Sequence, residues 1–190
     1  MEIKNFIKIY DEVMPLKILS NLIRFIGTRN FKKAGILGEN NNQEINFNIR
    51  RTYTYGLSNM SNSLSDVHWS LFLNTLFKNN IIRYTRDLNV NDFPIRNIID
   101  IAILKYENTG FYTWHTDHAA EIPRTMSCIL LLNNDYKGGN LCFRNPDQSE
   151  EWEVEVKPNR LIIWPSNFLY PHTVKSVTEG IRYSIVAWAL

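Results

Sequence analysis

The sequence has few cysteines, no long apolar run and no block of one charge. Two cysteines in 190 residues cannot make a disulfide framework. Cys128 lies in SCILLLN and Cys142 in NLCF, so both read as reduced core thiols, with a disulfide across neighbouring strands as the alternative. No apolar stretch approaches the length of a membrane span. The first residues, MEIKNFIKIYDEVMP, are broken by charges where a signal peptide would need an apolar core. The reading therefore places the chain in a reducing cytoplasm, away from membranes. Basic and acidic residues nearly cancel, 21 against 19, which gives no broad field for nucleic acid and leaves only a local basic groove open. What remains is ordinary globular material, 44% hydrophobic and 21% charged, with no internal repeat and no linker. It suits one domain, able to bury roughly 70% of its unfolded surface.

Within that domain the pattern changes near residue 97. Residues 1–96 read as helical and β support. PLKILSNLIRFIG (15–27) carries Leu16, Leu19, Ile23 and Ile26 at helical spacing, with Pro15 suited to a first turn. A second helix is expected over residues 63–85, capped by Ser63 or Ser65, with Leu71, Leu76 and Phe77 facing inward. Between them, 38–46 reads as a polar loop and 45–56 as strand. Residues 97–190 hold eight short β-rich runs: NIIDIAILKY, GFYTWHTD, MSCILLLN, GNLCFR, EWEVEV, RLIIWP, PHTVKSV and GIRYSIVAWAL. Turn-forming residues separate several of them, and such a series predicts a sandwich or barrel.

WHTDH, residues 114–118, concentrates potential metal ligands. Alternation along a strand places His115 and Asp117 on one face, about 7 Å apart at the backbone, and His118 on the other. Besides these, the chain has only His68, on the second expected helix, and His172, opening a late strand. Two strands of one sheet can bring His172 to His115 and Asp117. Two histidines and a carboxylate with open positions are the donor set of non-haem Fe(II) oxygenases. A zinc hydrolase would also use three protein ligands, and histidines without metal are common, so spacing alone leaves these open. Arg182 begins the last strand, followed on its face by Ser184, Val186 and Trp188. Pointing inward, its charge would need a partner, and a dicarboxylate held by a metal at one end would present one at the other. Tyr106, closing its own strand, could add a hydroxyl.

Taken in order, these residues resemble the Fe(II)- and 2-oxoglutarate-dependent dioxygenases, in particular the prolyl 4-hydroxylase-like group. The resemblance spans about Ile98 to Leu190. It rests on Tyr106, His115-Thr-Asp117, Arg124-Thr-Met-Ser127, LLLN ending at Asn133, Gly138-Gly139-Asn-Leu141, Trp164-Pro165-Ser166, Pro171-His172-Thr-Val174, Arg182 and Trp188. It implies a mainly β fold with N-terminal helices, a double-stranded β-helix or jelly roll, whose larger sheet carries the helices. It implies Fe(II) on His115, Asp117 and His172, and Arg182 at the far carboxylate of 2-oxoglutarate. Tyr106, Tyr112, Leu131, Leu141, Val174 and Trp188 match positions around the cofactor. Some protein prolyl hydroxylases have tyrosine where Leu131 stands, which puts one cofactor hydrogen bond in doubt.

The activity so implied consumes O₂ and 2-oxoglutarate, releases succinate and CO₂, and hydroxylates a C–H bond, with ascorbate open as a further ligand. The group points to C4 of a prolyl residue in a peptide or protein. Tyr53, Tyr55 and Trp164 are candidates to hold such a peptide, alongside a covering segment within 41–57. A free amino acid or other small molecule is the alternative substrate, and a silent jelly-roll binding module the non-enzymatic alternative. The nucleic-acid demethylating branch typically has a second arginine six residues after the cofactor arginine. Here that residue is Trp188.

Overall fold

The computed structural model describes residues 2–37, 43–90, 97–119 and 123–190. Most of the polar stretch 38–46, and the start of the covering segment expected within 41–57, lie outside the described residues. A short 3-10 helix (Ile3–Phe6) and strand β1 (Lys8–Tyr10) precede helix α1 (Leu16–Ile26). Strands β2 (Lys32–Lys33), β3 (Ile36–Leu37), β4 (Gln43–Glu44), β5 (Arg50–Arg51) and β6 (Tyr53–Gly56) lead to helix α2 (Leu64–Asp87). Then come β7 (Ile98–Tyr106), β8 (Phe111–His115), β9 (Met126–Leu131), β10 (Lys137–Gly138) and β11 (Leu141–Arg144). The last strands are β12 (Glu151–Glu153), β13 (Arg160–Pro165), β14 (His172–Val174), β15 (Val177–Glu179) and β16 (Arg182–Ala189). No helix among the described residues is long and apolar enough to cross a membrane.

The larger sheet has the order β1-β13-β9-β16-β7-β6-β2 and the smaller β12-β11-β14-β8-β5. Along the chain β7, β9, β13 and β16 join the first, while β8, β11 and β14 fall between them in the second. This alternation is the winding of a double-stranded β-helix, or jelly roll. Both faces of the larger sheet are covered, which explains its nearly continuous apolar runs. Ile101, Ile103, Cys128, Leu130, Leu161, Ile163, Ile185 and Ala187 pack toward α1 and α2. Their neighbours Leu104, Ile129, Leu131, Ile162, Trp164 and Val186 pack inward against Leu141, Phe143 and Val174 of the smaller sheet. Cys128 and Cys142 thus belong to different sheets, and both are free and buried.

The helices form where expected, but their buried faces are rotated. Helix α1 buries Leu19, Leu22, Phe25 and Ile26, while Leu16 and Ile23 are exposed. Leu19, Leu22, Phe25 and Ile26 all join the core between the helices and the larger sheet. Pro15 caps the helix from outside rather than opening its first turn. In α2, Ser63 caps through its hydroxyl, which accepts the Asp66 N–H at 3.4 Å. Its buried face is Trp69, Leu73, Phe77, Ile81 and Tyr84; Leu76 packs at the margin and Leu71 faces solvent. The N-terminal segment is also tied to the turn before β13, because Asn159 Nδ2 donates to the Met14 carbonyl at 2.6 Å and Asn159 Oδ1 accepts from the Met14 N–H at 3.1 Å.

The rotated face of α2 gives a direct test. Phe77 has no exposed surface, whereas Leu71 keeps 53%. Phe77→Ala should lower unfolding stability by about 3–5 kcal/mol, and Leu71→Ala by about 0.5 kcal/mol or less. Chemical denaturation of the two variants reads the difference.

Candidate metal and anion site

His115 ends β8 and His172 opens β14, and the two are direct partners in the antiparallel register. Asp117 follows at the bend after β8. Its Oδ1 lies 3.9 Å from His115 Nε2 and its Oδ2 3.5 Å from His172 Nε2. One ligand atom from each residue fits within 4.8 Å of the others. Both imidazoles turn their Nδ1 to backbone carbonyls, His115 to Thr113 at 2.8 Å and His172 to Tyr170 at 3.1 Å. That bond places the ring proton on Nδ1 and leaves both Nε2 lone pairs facing the carboxylate, the arrangement a metal ligand requires. Ser127 Oγ donates to Asp117 Oδ2 at 2.6 Å, with Ser166 Oγ 2.7 Å behind it.

The protonation states suit the same purpose. Burial, with the neighbouring His172, holds His115 far below the ordinary imidazole value, so it is neutral near pH 7. Burial pushes Asp117 upward, but His172, His115 and the Ser127 hydroxyl outweigh it and keep the carboxyl below its usual range. The triad therefore offers the Nε2 lone pairs of its two imidazoles and one negative oxygen, with room for further ligands on the cavity side.

A cavity of about 250 Å³ opens over the triad. Tyr106, Tyr112, Val174 and Trp188 line it. Tyr112 stacks on His115 with ring centres 3.6 Å apart. Trp164 also lines the cavity, but it is buried edge-on against His172 at 5.0 Å, a wall of the metal site rather than an open surface.

Arg182 sits behind this lining. It is 1% exposed, opposite Tyr106 in register, with its guanidinium carbon 5.0 Å from the Tyr106 ring. Nη1 donates to Ser184 Oγ at 2.7 Å, whereas Nε and Nη2 have no partner among the described residues. A buried cation with spare donors fits a carboxylate, and the donor set of the triad fits Fe(II); the residues present suit iron and 2-oxoglutarate together. Gly139 makes this close packing of Arg182 feasible. Its φ is +65°, and a Cβ there would lie 3.0 Å from Arg182 Cδ and 3.2 Å from Tyr136 Cε2.

Several expected residues stand elsewhere. Tyr53 and Tyr55 pair with Lys105 and Ile103 of β7, which puts both on the helix-covered face and away from the cavity. Tyr55 packs there against Phe31 and donates to Asp66. Leu131 and Leu141 are core residues behind the lining; Leu131 pairs with Ser184 beside Arg182. His118 is exposed, with its Nδ1 3.0 Å from the Arg124 carbonyl, and stands outside the triad. Two residues near the site had not been singled out. Arg50 lines the cavity, and its signal is visible only once β5 is paired with β8. Tyr136 is near enough to Arg182 for the guanidinium to oppose the upward pull of burial on its hydroxyl. Its position in the turn sequence NDYKGG carries no such signal.

His115→Ala or His172→Ala should abolish tight Mn(II) or Fe(II) binding, while His118→Ala should retain it within several-fold. Anaerobic titration calorimetry measures all three. Equal loss in the His118 variant would contradict the geometry.

The 2OG-Fe(II) oxygenase superfamily model matches residues 101–190. Prolyl 3-hydroxylase 1 of Rattus norvegicus is 39% identical over 66 residues, which is 34% of this chain and 9% of that protein. A PKHD-type hydroxylase of Stenotrophomonas maltophilia is 32% identical over 93 residues, 44% of this chain and 40% of that one. The matches thus span only a minor part of these relatives' lengths. Among solved structures, a Trichoplax adhaerens prolyl hydroxylase superposes with a TM-score of 0.75 at 16% identity, covering 98% of this chain and 84% of that chain. A Pseudomonas putida prolyl-4-hydroxylase gives 0.71 at 19%, covering 97% and 92%. At such identities the structures speak to the fold. The family match lies over the strands that carry the triad and Arg182, so residues 101–190, a little under half of the chain, are similar to the 2OG-Fe(II) oxygenase superfamily.

Proposed function

We propose that the protein is a 2-oxoglutarate- and O₂-dependent hydroxylase of prolyl residues in a peptide or protein, acting at C4 and forming succinate and CO₂. The observation that carries this reading is the combination, on inward faces of two facing sheets, of the His115–Asp117–His172 triad and a buried Arg182 with two uncommitted nitrogens. The prolyl substrate is supported by the kind of relative found by sequence and by the Trichoplax protein, solved with a hypoxia inducible factor peptide fragment. Prolyl 3-hydroxylases are among the sequence relatives, so C3 is the alternative position on the ring.

Bound iron with 2-oxoglutarate and O₂ supplies the oxidising chemistry that hydroxylates an unactivated C–H bond. The chain's own work is to hold and orient. His115, Asp117 and His172 would take the metal through atoms already aimed by Thr113, Tyr170 and Ser127. Arg182 would hold the far carboxylate of 2-oxoglutarate, with Ser184 fixing the guanidinium. Leu104, Ile129, Val174 and Val186 give the cavity apolar walls, which exclude water and strengthen these electrostatic contacts.

Removing the Arg182 guanidinium should weaken 2-oxoglutarate binding by about 2–5 kcal/mol, about 30- to several-thousand-fold in Kd. Calorimetry with Mn(II)-loaded Arg182→Ala reads this, and unchanged affinity in a folded, metal-binding variant would refute the assignment. Substrate is tested by mass spectrometry of a proline-containing peptide library incubated with protein, Fe(II), 2-oxoglutarate, ascorbate and air, with His115→Ala as control. One oxygen gained on proline and absent from the control is the expected result, and fragmentation or amino-acid analysis assigns C4 or C3. Succinate without peptide oxidation would redirect the search to small molecules.

A further inference from the structure

Two arginines of the cavity belong neither to the triad nor to the Arg182 end, and they stand on opposite walls. Arg50 pairs with Tyr112 in register, on the inward face of the smaller sheet, and its guanidinium carbon lies 4.6 Å over the Tyr112 ring. Arg124 lies 3.6 Å over the ring of Trp188, which belongs to the larger sheet. Each guanidinium thus rests on an aromatic side chain of the cavity wall, an arrangement that leaves its in-plane donors free. Both line the cavity, and both are part-exposed, where the cavity meets solvent.

Their donors are incompletely used. In each arginine the Nε–H is buried and has no partner among the described residues. Arg50 gives one N–H to the Gly35 carbonyl at 3.1 Å. The arginine ion pairs among the described residues involve Arg29, Arg124 and Arg160, and Arg50 is in none. Arg124 is held rigidly. Asp100 accepts from its Nη2 at 3.2 Å, from a left-handed residue (φ 53°) where β7 takes one extra residue against β16. The His118 ring donates to its carbonyl. Buried guanidinium donors without an acceptor are costly, so a ligand that supplies oxygen atoms between the two walls is favoured.

We propose that Arg50 and Arg124 form a carboxylate-binding subsite for an acidic side chain of the substrate, next to the residue that is oxidised. The proposal rests on the peptide-hydroxylase reading above and narrows its substrate class to acidic sequences. The 2-oxoglutarate carboxylates are assigned to the metal and to Arg182, which leaves the outer pair to the substrate. A phosphate backbone would call for cations continuing beyond the cavity. The chain leading into Arg50 instead exposes Ile45, Phe47 and Ile49, a surface suited to a peptide.

The test uses blocked heptapeptides with one proline flanked by Glu, Gln or Lys, assayed with Fe(II), 2-oxoglutarate and ascorbate. Binding to Mn(II)-loaded protein is followed separately by tryptophan fluorescence. Wild type should favour a Glu peptide over its Gln counterpart by about tenfold or more in kcat/KM, the effect of a single charge-paired contact. The double variant Arg50→Gln/Arg124→Gln should reduce that ratio to about twofold through peptide KM, while its KM for 2-oxoglutarate stays near wild type. Arg50→Lys/Arg124→Lys, which keeps both charges, should recover part of the preference. Absence of a Glu preference in wild type, or its survival in the Gln variant, overturns the subsite. If no peptide is oxidised, the hydroxylase reading fails while fluorescence still decides the subsite. Selective Glu-peptide binding lost in the Gln variant supports it, and non-selective or absent binding overturns it. Tighter binding of a single-stranded oligonucleotide than of the Glu peptide, lost in the same variant, overturns the peptide assignment.

Discussion

Burial of the larger sheet on both faces constrains everything built on it. Each of its central strands must divide its side chains between the helices on one side and the smaller sheet on the other. In β16, Ile185, Ala187 and Ala189 go to the helices, while Val186 and Trp188 go inward. Arg182 and Ser184 share the inward parity. A slip of one residue would exchange the two sets and drive the guanidinium against the helix layer. The apolar packing of two cores therefore fixes the register, and the position of Arg182 opposite Tyr106 follows from it.

The site also depends on where strict alternation is broken. Between the pairs His172–His115 and Val174–Tyr112, β14 advances two residues while β8 advances three. This extra residue is a bulge, and it brings Tyr112 and His115 to the same face, three positions apart in sequence. Without it they would point to opposite sides, and neither their 3.6 Å stack nor the placement of Arg50 above Tyr112 would form. A second bulge, in β7, turns Asp100 toward Arg124. Regular pairing thus builds the scaffold, and two single-residue insertions aim aromatic and charged groups at the cavity.

That division explains what could be read from the sequence. The order of the β-runs and the division of β16 into two faces follow from period-two patterning and were legible, whereas spacing left the convergence of His115, Asp117 and His172 open and only the family resemblance implied it. The helices were legible as elements but not in their rotation. Several apolar stripes compete on α1, and packing on the sheet chooses Leu22 and Phe25 over Leu16 and Ile23. Tyr53 and Tyr55 looked like peptide-binding aromatics, yet their face is set by pairing with Lys105 and Ile103, which composition does not reveal. Arg50 and Tyr136 were missed for the same reason. Their surroundings come from register and from a turn folding back on Arg182, both long-range.

The uncommitted donors concentrate where the chemistry is. Arg182 Nε and Nη2, Tyr136 Oη, Trp164 Nε1, Arg50 Nε and Arg124 Nε are buried without partners among the described residues. An unmet buried donor costs about 1–3 kcal/mol, so these groups together are a substantial charge against a native state stable by only about 5–15 kcal/mol. Thr52 Oγ1 and Arg144 Nε are also buried without a partner among the described residues, but most of these groups surround the triad and Arg182, where stability alone does not call for them. On the proposed function they are donors fixed before the ligand arrives, so that binding a dicarboxylate and an acidic substrate would require little reorganisation. The same arrangement ties ligand binding to folding. Ligands that satisfy these donors bind only the native state, and each should raise its stability in proportion to the logarithm of ligand concentration over Kd.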